Sequence, residues 1–376
     1  MNDNSSIGLV GPKLVKINKK LNLESGKILD NYQLKYETYG VLNANKSNAV
    51  LICHALSGNQ HAAGFYENEK KPGWWDNMIG PNKPIDTKKV FVVSLNNIGG
   101  CHGSTGPTSI NPKNNKIYGS DFPLITVSDW VNTQKELMDC LNIPYWQFVV
   151  GGSLGGMQSF QWALQYPSLI RNSIIIAGAL KLTAQNIAFN EVARQAIMKD
   201  PDWHDGNYIE KGVAPKQGLA LARMLGHITY LSDTSMKEKF GRDLKKSKLN
   251  FNFDVEFEIE SYLRHQGEKF VAGFDANTYL LMTKSLDYYD PVKNLDYKID
   301  ENLKKTKSKF LVISFTSDWR FPPKRSKEIV KLLLNSERDV SYCEIDADGG
   351  HDAFLMVNKD YFDVMKNFIN QVCDGI

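Results

Sequence analysis

A glycine-rich turn near the middle of the chain constrains the fold more than any other feature. An apolar, strand-like run at residues 148–150 leads into Gly151-Gly152-Ser153-Leu154-Gly155, which matches the pattern G-x-S-x-G, and a helical pattern follows. Such a tight strand-to-helix turn strains the serine backbone and leaves no room for neighbouring Cβ atoms, which explains the glycines. The motif therefore predicts that Ser153 is exposed at the turn. It also places the backbone N–H of Leu154 at a helix N-terminus, where this group can donate to an oxyanion.

Apolar, strand-like segments alternate with helical patterns on both sides of this turn. Buried strands are predicted at residues 49–54 and 89–96, and further strands are predicted at 172–177, 309–314 and 340–345. A helix is predicted at 128–141, with Ser128 as its N-cap. Two lead-in strands at 13–16 and 33–39 are expected to be antiparallel. Alternation of this kind indicates an α/β fold with a mostly parallel, doubly wound sheet.

The pattern changes between residues 181 and 290, where apolar residues recur at helical spacing and no convincing buried strand is visible. Helices are predicted there at residues 218–232, 259–270 and 275–286. We therefore expect an α/β core domain formed by residues 1–180 and 291–376, interrupted by a helical lid at 181–290. Such a lid would exclude water from the serine or serve as a dimer surface.

The charge balance and the cysteine usage exclude several classes of protein. Forty-five Lys and Arg residues face 42 Asp and Glu residues, and the formal charge of +3 is too small for a dedicated nucleic-acid binder. No apolar run reaches the roughly 18 residues that a membrane span requires. The first six residues lack the basic-then-apolar order of a signal peptide. The five cysteines are scattered without a C-x-x-C pair, which favours reduced thiols in a cytoplasm over a disulfide scaffold or a metal site.

Two loops are expected beside the serine because each follows a predicted buried strand. Residues 55–58 form a small-residue turn, in which the N–H of Leu56 is the candidate second oxyanion donor. His54 precedes this turn and is interpreted as a structural histidine bonded to backbone, since oxyanion holes mostly use main-chain donors. The glycine-rich loop 97–107 lacks the G-K-[ST] ending of a phosphate-binding loop. It is interpreted as a wall of the active-site mouth.

Histidine and aspartate partners for Ser153 follow from the order of the chain. On folds with this turn a triad runs Ser, then Asp or Glu, then His, each in a loop after a strand. Six of the seven histidines precede the serine or lie in the helical insertion: His54, His61, His102, His204, His227 and His265. Only His351 follows a late strand, and Asp318 follows the strand before it. The sequence thus predicts a Ser153–Asp318–His351 triad and nucleophilic acyl chemistry.

Simpler interpretations of these residues stay open at this point. Asp318 can be only the cap of the following turn, and Gly349-Gly350-His351 can be an ordinary loop. A complete triad also fits an esterase or a thioesterase, in which water would release the acyl group. A non-catalytic ligand receptor would have no need of all three residues. The triad therefore predicts acyl chemistry but says little about the substrate.

Five separated segments resemble the homoserine O-acyltransferases, and the likeness extends over nearly the whole chain. The segments lie at residues 50–58, 99–107, 151–158, 223–231 and 351–355. The resemblance implies an α/β-hydrolase fold with a helical lid, a homodimer, and a role in methionine biosynthesis. It implies L-homoserine and either succinyl-CoA or acetyl-CoA as substrates. Acyl-CoA would be a co-substrate, with no further cofactor and no metal.

The resemblance also implies roles for individual residues. Ser153 would attack the acyl-CoA thioester, CoA would leave, and the homoserine hydroxyl, deprotonated by His351, would take the acyl group in a ping-pong reaction. The family's substrate-binding positions correspond to Arg223 and Asp352. A guanidinium suits the carboxylate of the amino acid, and a carboxylate suits its ammonium group. The simpler interpretations are a surface arginine of a helix and a turn aspartate.

The expected acyl donor depends on Arg320. Some members of the family use acetyl-CoA and others succinyl-CoA, and residues 318–321 resemble the succinyl-using branch. Arg320 could pair with the free carboxylate of a succinyl group, which acetyl lacks. Such a pair contributes about 1.5–3 kcal/mol, or about 10- to 100-fold discrimination. The alternatives are an arginine that points to solvent or one that binds a CoA phosphate.

We therefore expect succinyl-CoA as the donor, with acetyl-CoA as the alternative. Serine as the acceptor stays a further alternative, because it differs from homoserine by one methylene. Discrimination on that basis is only about 1–3 kcal/mol.

Overall fold

Eight strands form the central sheet, and their order across it differs from their order in the chain. The computed structural model describes residues 5–296 and 298–373. The strands are β1 (Lys13–Asn22), β2 (Ile28–Tyr39), β3 (Ala49–Cys53), β4 (Phe91–Leu95), β5 (Trp146–Gly152), β6 (Ile170–Ile176), β7 (Lys309–Phe315) and β8 (Val340–Ile345). They lie side by side in the order β1-β2-β4-β3-β5-β6-β7-β8. Strands β3 to β8 run parallel to one another, whereas β2 is antiparallel to both β1 and β4.

Helices cover the sheet and fill the chain between β6 and β7. The α-helices are α1 (Val127–Cys140), α2 (Leu154–Gln165), α3 (Ala184–Met198), α4 (Lys216–Tyr230), α5 (Asp233–Phe240), α6 (Glu258–Val271), α7 (Ala276–Tyr288), α8 (Pro291–Asn294), α9 (Ile299–Leu303), α10 (Pro323–Asn335) and α11 (Lys359–Cys373). Short 3₁₀ turns lie at Gly119–Asp121, Pro201–Gly206 and Gly350–Leu355. Two-residue strands pair outside the main sheet, Ile79–Gly80 with Ile85–Asp86 and Ile110–Asn111 with Lys116–Ile117. Within the described residues, no helix is both long enough and apolar enough to cross a membrane.

Two hydrophobic cores lie on opposite faces of the sheet, because successive side chains of a strand point to opposite sides. In β5, Phe148 and Val150 belong to one core and Val149 to the other. Helix α11 packs into the first core through Met365, and α2 packs into the second through Phe160. Strands that are covered on both faces read as continuous apolar runs. The predicted α/β fold with a mostly parallel, doubly wound sheet is confirmed.

The start of α1 differs from the prediction. Ser128 is not the N-cap, because Thr126 holds that position. The Oγ1 of Thr126 accepts a hydrogen bond from the N–H of Asp129 at 3.3 Å, and the Asp129 carboxylate accepts one from the N–H of Thr126 at 2.9 Å. This reciprocal arrangement is a capping box. The sequence pattern is easily overlooked, since the usual partner at the third helical position is Glu or Gln.

The predicted helices of the insertion are present as α4, α6 and α7, with ends shifted by one or two residues. Helices α3 to α9 all lie between β6 and β7. The division into a core of residues 1–180 and 291–376 and a lid of 181–290 stays a prediction. Parts of those ranges, namely residues 1–4, 297 and 374–376, lie outside the described residues.

The C-terminal end of α4 contacts two loops of the sheet edge. A Cβ at Gly350, in the loop after β8, would lie 2.5 Å from the carbonyl oxygen of Tyr230. The indole N–H of Trp319, in the loop after β7, donates to the carbonyl of Leu231 at 2.9 Å. Because those loops carry the predicted aspartate and histidine, the end of α4 is fixed beside the predicted site.

We predict that Gly155→Ala lowers the free energy of unfolding by about 3 kcal/mol or more, because a rigid backbone group cannot move aside for the new methyl. A Cβ at this position would lie 2.1 Å from the carbonyl oxygen of Cys53. Urea unfolding would measure the change. Gly11→Ala is the matched control, since a Cβ there meets nothing within 4 Å. Equal stability of the two variants would contradict this account of the turn.

Candidate active site

The serine turn joins β5 to α2 through a strained backbone. Ser153 adopts φ 57° and ψ −121°, a conformation that L residues rarely occupy. Its N–H donates to the carbonyl of Ile176 on β6 at 2.8 Å. A Cβ at Gly152 would come within 2.4 Å of the Phe354 ring. The turn is thus held by β6 on one side and by Phe354 on the other. A side chain at Gly152 would clash with the Phe354 ring, so this position requires glycine.

Ser153, His351 and Asp318 form a hydrogen-bonded chain. The Oγ of Ser153 lies 2.7 Å from Nε2 of His351, and Nδ1 of His351 lies 2.7 Å from Oδ2 of Asp318. The three residues follow β5, β8 and β7, so they meet at the carboxyl edge of the sheet. The imidazole and the carboxylate are buried, and the Phe321 ring stands perpendicular to the imidazole at 5.0 Å. Such a chain can remove the serine proton and stabilise the resulting imidazolium.

Asp318 acts both as a turn cap and as the partner of the histidine. Its Oδ1 accepts a hydrogen bond from the N–H of Phe321 at 2.8 Å, while Oδ2 faces His351. The two interpretations of this residue are therefore compatible. Because the first bond fixes the carboxylate, the second oxygen selects the imidazole tautomer with its proton on Nδ1. That tautomer leaves Nε2 free to accept from the serine hydroxyl.

The two candidate oxyanion donors lie on adjacent segments. Leu154 is the first residue of α2, so its N–H has no intrahelical acceptor and lies at the positive end of the helix dipole. Gly155 packs directly against the carbonyl of Cys53 at the end of β3. This close approach brings the loop after β3, which contains Leu56, next to the serine turn. The start of that loop, at Cys53 and His54, is thus adjacent to the serine turn.

His54 supports this loop as a structural histidine. Its Nδ1 lies 2.7 Å from the carbonyl oxygen of Ala55, and its Nε2 accepts a hydrogen bond from the N–H of Asn97 at 3.0 Å. A neutral ring with the proton on Nδ1 satisfies both contacts. Burial lowers the pKa of His54 to about 4. The Gln158 amide donates to the His54 carbonyl at 3.1 Å, which fixes the backbone where the loop begins.

Arg223 and Asp352 lie close to the triad on different elements. Arg223, on α4, stacks its guanidinium over the Phe270 ring at 4.5 Å and lines a cleft of about 190 Å³ that also includes His102 of the glycine-rich loop. Asp352 directly follows His351. Burial raises the pKa of the Asp352 carboxyl, and the charges of His351 and Arg223 act in the opposite direction. The arginine and the carboxyl are therefore within electrostatic reach of each other, as recognition of a zwitterion would require.

The comparisons with known sequences agree with this geometry. Residues 48–356 match the family model described as alpha/beta hydrolase fold. A homoserine O-succinyltransferase of Hydrogenovibrio crunogenus is 59% identical over 97% of this chain and 96% of that protein. Another, from Pseudomonas fluorescens, is 59% identical over 98% of this chain and 97% of that protein. The chain belongs to the homoserine O-acyltransferase family of the α/β-hydrolase fold.

Solved structures extend the likeness to acyltransferases and esterases. A homoserine O-acetyltransferase from Bacillus anthracis superposes with a TM-score of 0.87 at 28% identity, covering 97% of each chain. Esterase E22 superposes with a TM-score of 0.86 at 29% identity, covering 96% of this chain and all of that one. The fold of this acyltransferase is thus shared by proteins named for two reactions. Side chains, and not the fold, therefore decide between those reactions.

Arg320 of this acyltransferase points into the protein rather than to solvent, with only 7% of its surface exposed. One guanidinium nitrogen, Nη1, donates to Oγ1 of Thr229 at 2.7 Å. The guanidinium also lies over the Tyr230 ring at 5.4 Å, and that ring lies 6.3 Å from the His351 imidazole. In the described part of the chain, no carboxylate forms an ion pair with it within 4.0 Å. Arg320 is therefore a buried cation beside the triad.

Tyr230 is a site residue that the sequence reasoning missed. Its ring lies 5.7 Å from the Arg223 guanidinium, 5.4 Å from that of Arg320 and 6.3 Å from the imidazole. One signal could have found it, because residues seven apart on a helix share a face and Tyr230 follows Arg223 by that interval on α4. Phe321 carried no such signal, since its contact with His351 joins two loops.

The cysteines of the site region do not assemble into a cluster. Sγ of Cys101 lies 3.6 Å from Nδ1 of the neighbouring His102. Burial raises the pKa of the Cys101 thiol to about 12. In residues 5–296 and 298–373, no group of three or more His, Cys, Asp and Glu is placed to hold a metal ion.

We predict that His54 makes the unfolding free energy fall by about 2 kcal/mol between pH 7 and pH 5. Its pKa is about 4 in the folded protein and about 6.5 in the unfolded chain. In this interval the unfolded chain binds the proton and the folded protein does not, so stability falls as the pH falls. Urea unfolding at the two pH values would measure the effect.

His54→Gln should remove that part of the pH dependence, because the amide oxygen can still accept from Asn97 but does not titrate. His265→Gln, at an exposed position of α6, is the control and should retain it. An identical pH dependence in wild type and His54→Gln would show that the buried imidazole is not the titrating group.

Proposed function

We propose that this protein transfers a succinyl group from succinyl-CoA to the hydroxyl of L-homoserine, as a step of methionine biosynthesis. The observation that carries the proposal is the hydrogen-bonded chain from Ser153 through His351 to Asp318, with 2.7 Å at both contacts. The homoserine O-succinyltransferases that are 59% identical to this chain support the choice of substrates. Acyl-CoA is then a co-substrate, and the acyl group is carried by the protein itself.

The reaction proceeds in two acyl-transfer steps. In the first, Ser153 Oγ attacks the thioester carbon while its proton moves to Nε2 of His351, and the C–S bond breaks as this proton passes to the CoA sulfur. In the second, the homoserine hydroxyl gives its proton to the same nitrogen and attacks the acyl-serine ester. The ester bond to Ser153 breaks, and the serine oxygen recovers the proton from the imidazolium.

Main-chain N–H groups stabilise the negative charge that develops in each step. Leu154 supplies the donor at the N-terminus of α2, and Leu56 supplies the second donor from the loop after β3. Loss of one such donor typically costs about 2.7–4 kcal/mol of transition-state stabilisation. Because these donors belong to the main chain, a side-chain substitution does not remove them. Both acyl-transfer steps use the same two donors.

Recognition of homoserine is assigned to Arg223 and Asp352. The guanidinium would bind the carboxylate of the amino acid, and the Asp352 carboxyl would accept from its ammonium group. Asp352 is adjacent to His351, so a substrate held between the two side chains would have its hydroxyl near the general base. This placement favours homoserine over water in the second step, and therefore transfer over hydrolysis.

The donor is assigned from Arg320. A buried guanidinium without a carboxylate partner in the described residues is costly unless a ligand supplies the negative charge. The terminal carboxylate of a succinyl group supplies it, whereas an acetyl group does not. The burial of Arg320 also argues against the solvent-facing alternative.

The assay that tests the proposal is CoA-thiol release with succinyl-CoA or acetyl-CoA, each with homoserine, with serine and without acceptor. Strong homoserine-dependent release from succinyl-CoA is expected. A preference for acetyl-CoA would overturn the choice of donor, and a preference for serine would overturn the choice of acceptor. Release that is indifferent to the acceptor would mean a hydrolase, as the name of esterase E22 suggests for that neighbour.

We also propose a homodimer that forms through the helical insertion. Four apolar side chains of α3 and α4 are exposed: Ile187, Val192, Leu221 and Ile228. A contact with a second copy of the chain would remove this apolar surface from water. Light scattering of the purified protein would measure the assembly. A cytoplasmic location is proposed with it, supported by Cys53, Cys101, Cys140 and Cys343, which are free thiols.

We predict that Ser153→Ala abolishes acyl transfer and leaves the unfolding midpoint close to that of wild type. Without the hydroxyl, no acyl-enzyme can form. Intact-protein mass spectrometry with succinyl-CoA alone should show a gain of one succinyl group in wild type and none in the variant. Ser128→Ala, on α1, is the control and should behave as wild type. Near-full turnover by Ser153→Ala would remove the mechanism.

We predict that Arg320→Met lowers kcat/KM for succinyl-CoA by about 10- to 100-fold, which is the discrimination expected from one charge-assisted pair. The value for acetyl-CoA should change little, because acetyl has no carboxylate to bind. Steady-state kinetics with both donors would measure the ratio. Arg325→Met, on α10, is the control for loss of a positive charge. Equal losses with both donors would contradict the role of Arg320.

A further inference from the structure

The side chains that hydrogen-bond to the Arg320 guanidinium in the described residues are neutral and come from two helices of the insertion. Thr229 of α4 accepts from Nη1 at 2.7 Å, and Asn190 of α3 faces Nη2 with its Oδ1 at 3.5 Å, the outer limit of a hydrogen bond. Both partners are buried. The guanidinium is thus oriented by dipoles and keeps its full positive charge available for a ligand.

Thr229 is itself fixed by the helix that carries it. Its hydroxyl donates to the carbonyl of Gly226 at 2.8 Å, one turn earlier in α4. Because the hydroxyl proton is directed at this carbonyl, an oxygen lone pair is directed at Arg320. The threonine can therefore act only as an acceptor towards the arginine.

Asn190 is fixed by an ion pair that lies behind it. Its Nδ2 donates to Oδ1 of Asp287 at 2.8 Å, and Oδ2 of Asp287 lies 2.7 Å from Nη1 of Arg194. The donor contact to Asp287 sets the orientation of the amide, so that Oδ1 is the atom presented to Arg320. The neutral amide separates the nearest acid of this network from Arg320, and that acid is already paired with Arg194.

We propose that Thr229 and Asn190 are positioning residues that hold Arg320 for the terminal carboxylate of a dicarboxylic acyl donor, and that they thereby set donor specificity. The inference rests on the proposed function, and it assigns a role to two residues of the insertion that touch neither the nucleophile nor the base. An apolar residue at position 190 would remove the oxygen that faces Nη2. An apolar residue at position 229 would release one arm of the guanidinium.

The competing explanation is that these contacts only join α3 and α4 to the loop after β7. A purely structural contact, when removed, would weaken the use of succinyl-CoA and acetyl-CoA alike. A positioning contact would weaken the use of succinyl-CoA alone, through KM, because acetyl-CoA does not use the arginine. The ratio of the two kcat/KM values therefore separates the explanations.

The test compares Thr229→Val, which has the same shape without the acceptor, with Thr229→Ser, which retains the acceptor. Thr229→Val should raise KM for succinyl-CoA about tenfold, the effect of losing a hydrogen bond to a charged group. Its kcat and its kinetics with acetyl-CoA should stay close to those of wild type. Thr229→Ser should restore the succinyl preference. Equal losses with both donors, or no loss, would overturn the proposal.

The matched control is Thr283→Val. Thr283, on α7, is equally buried and also donates to helix carbonyls, to Tyr279 at 3.0 Å and Leu280 at 2.9 Å, but among the described residues it forms no hydrogen bond with an arginine. Its replacement should leave the donor ratio unchanged. A shift of the ratio in Thr283→Val as large as that in Thr229→Val would also overturn the proposal.

Asn190→Leu gives an independent readout if Thr229→Val does not fold. It removes the oxygen that faces Nη2 of Arg320 while keeping a similar side-chain size, and Asp287 stays paired with Arg194. KM for succinyl-CoA should rise about 2- to 10-fold, and the kinetics with acetyl-CoA should stay close to those of wild type. An unchanged ratio of the two kcat/KM values in a folded Asn190→Leu would contradict the inference. A wild-type enzyme without a preference for succinyl-CoA would instead contradict the proposed function, so the two failures are distinguishable.

Discussion

The positive φ of Ser153 depends on an approach of backbone to backbone that only glycine permits. Gly155 packs on the carbonyl of Cys53, and a Cβ at Gly151 would lie 2.3 Å from the Gly155 backbone. Strands β3 and β5 and the start of α2 therefore meet without intervening side chains. One contact thus brings together the serine, the positive end of a helix and the loop that contains Leu56. The histidine and the aspartate are then supplied by neighbouring strand ends of the same sheet edge.

The parts of the fold that sequence could predict are those with a strong local period. Buried parallel strands read as apolar runs, and β3, predicted at residues 49–54, lies at Ala49–Cys53 with all five residues buried. Strand β1 was expected at 13–16 but extends over Lys13–Asn22, since an exposed, lysine-rich edge strand offers no apolar run to detect. The N-cap of α1 was misplaced because Thr126 and Asp129 form an uncommon version of the capping box.

Site residues also differ in whether the sequence carries a signal for them. Ser153, Asp318 and His351 could be located from the order in which a triad must follow the strands. The surroundings of Arg320 could not, because Thr229 and Asn190 are about 90 and 130 residues away in the chain and meet it only through packing. Hydrophobic periodicity in the sequence does not reveal a contact between a loop of the sheet and two helices of an insertion. Such contacts also decide which substrate a common fold accepts.

Helix α4 joins the two halves of the site. It carries Arg223 near its middle and Thr229 near its C-terminal end, and the residues that follow pack against Gly350, next to the triad histidine. In the proposed function, acceptor recognition, donor recognition and the position of the base therefore depend on one rigid element. The nucleophile and the oxyanion donors lie instead on the sheet edge. Substitutions in the insertion can then change the acyl donor without changing the groups that react. This separation explains how acyltransferases and esterase E22 can share one fold.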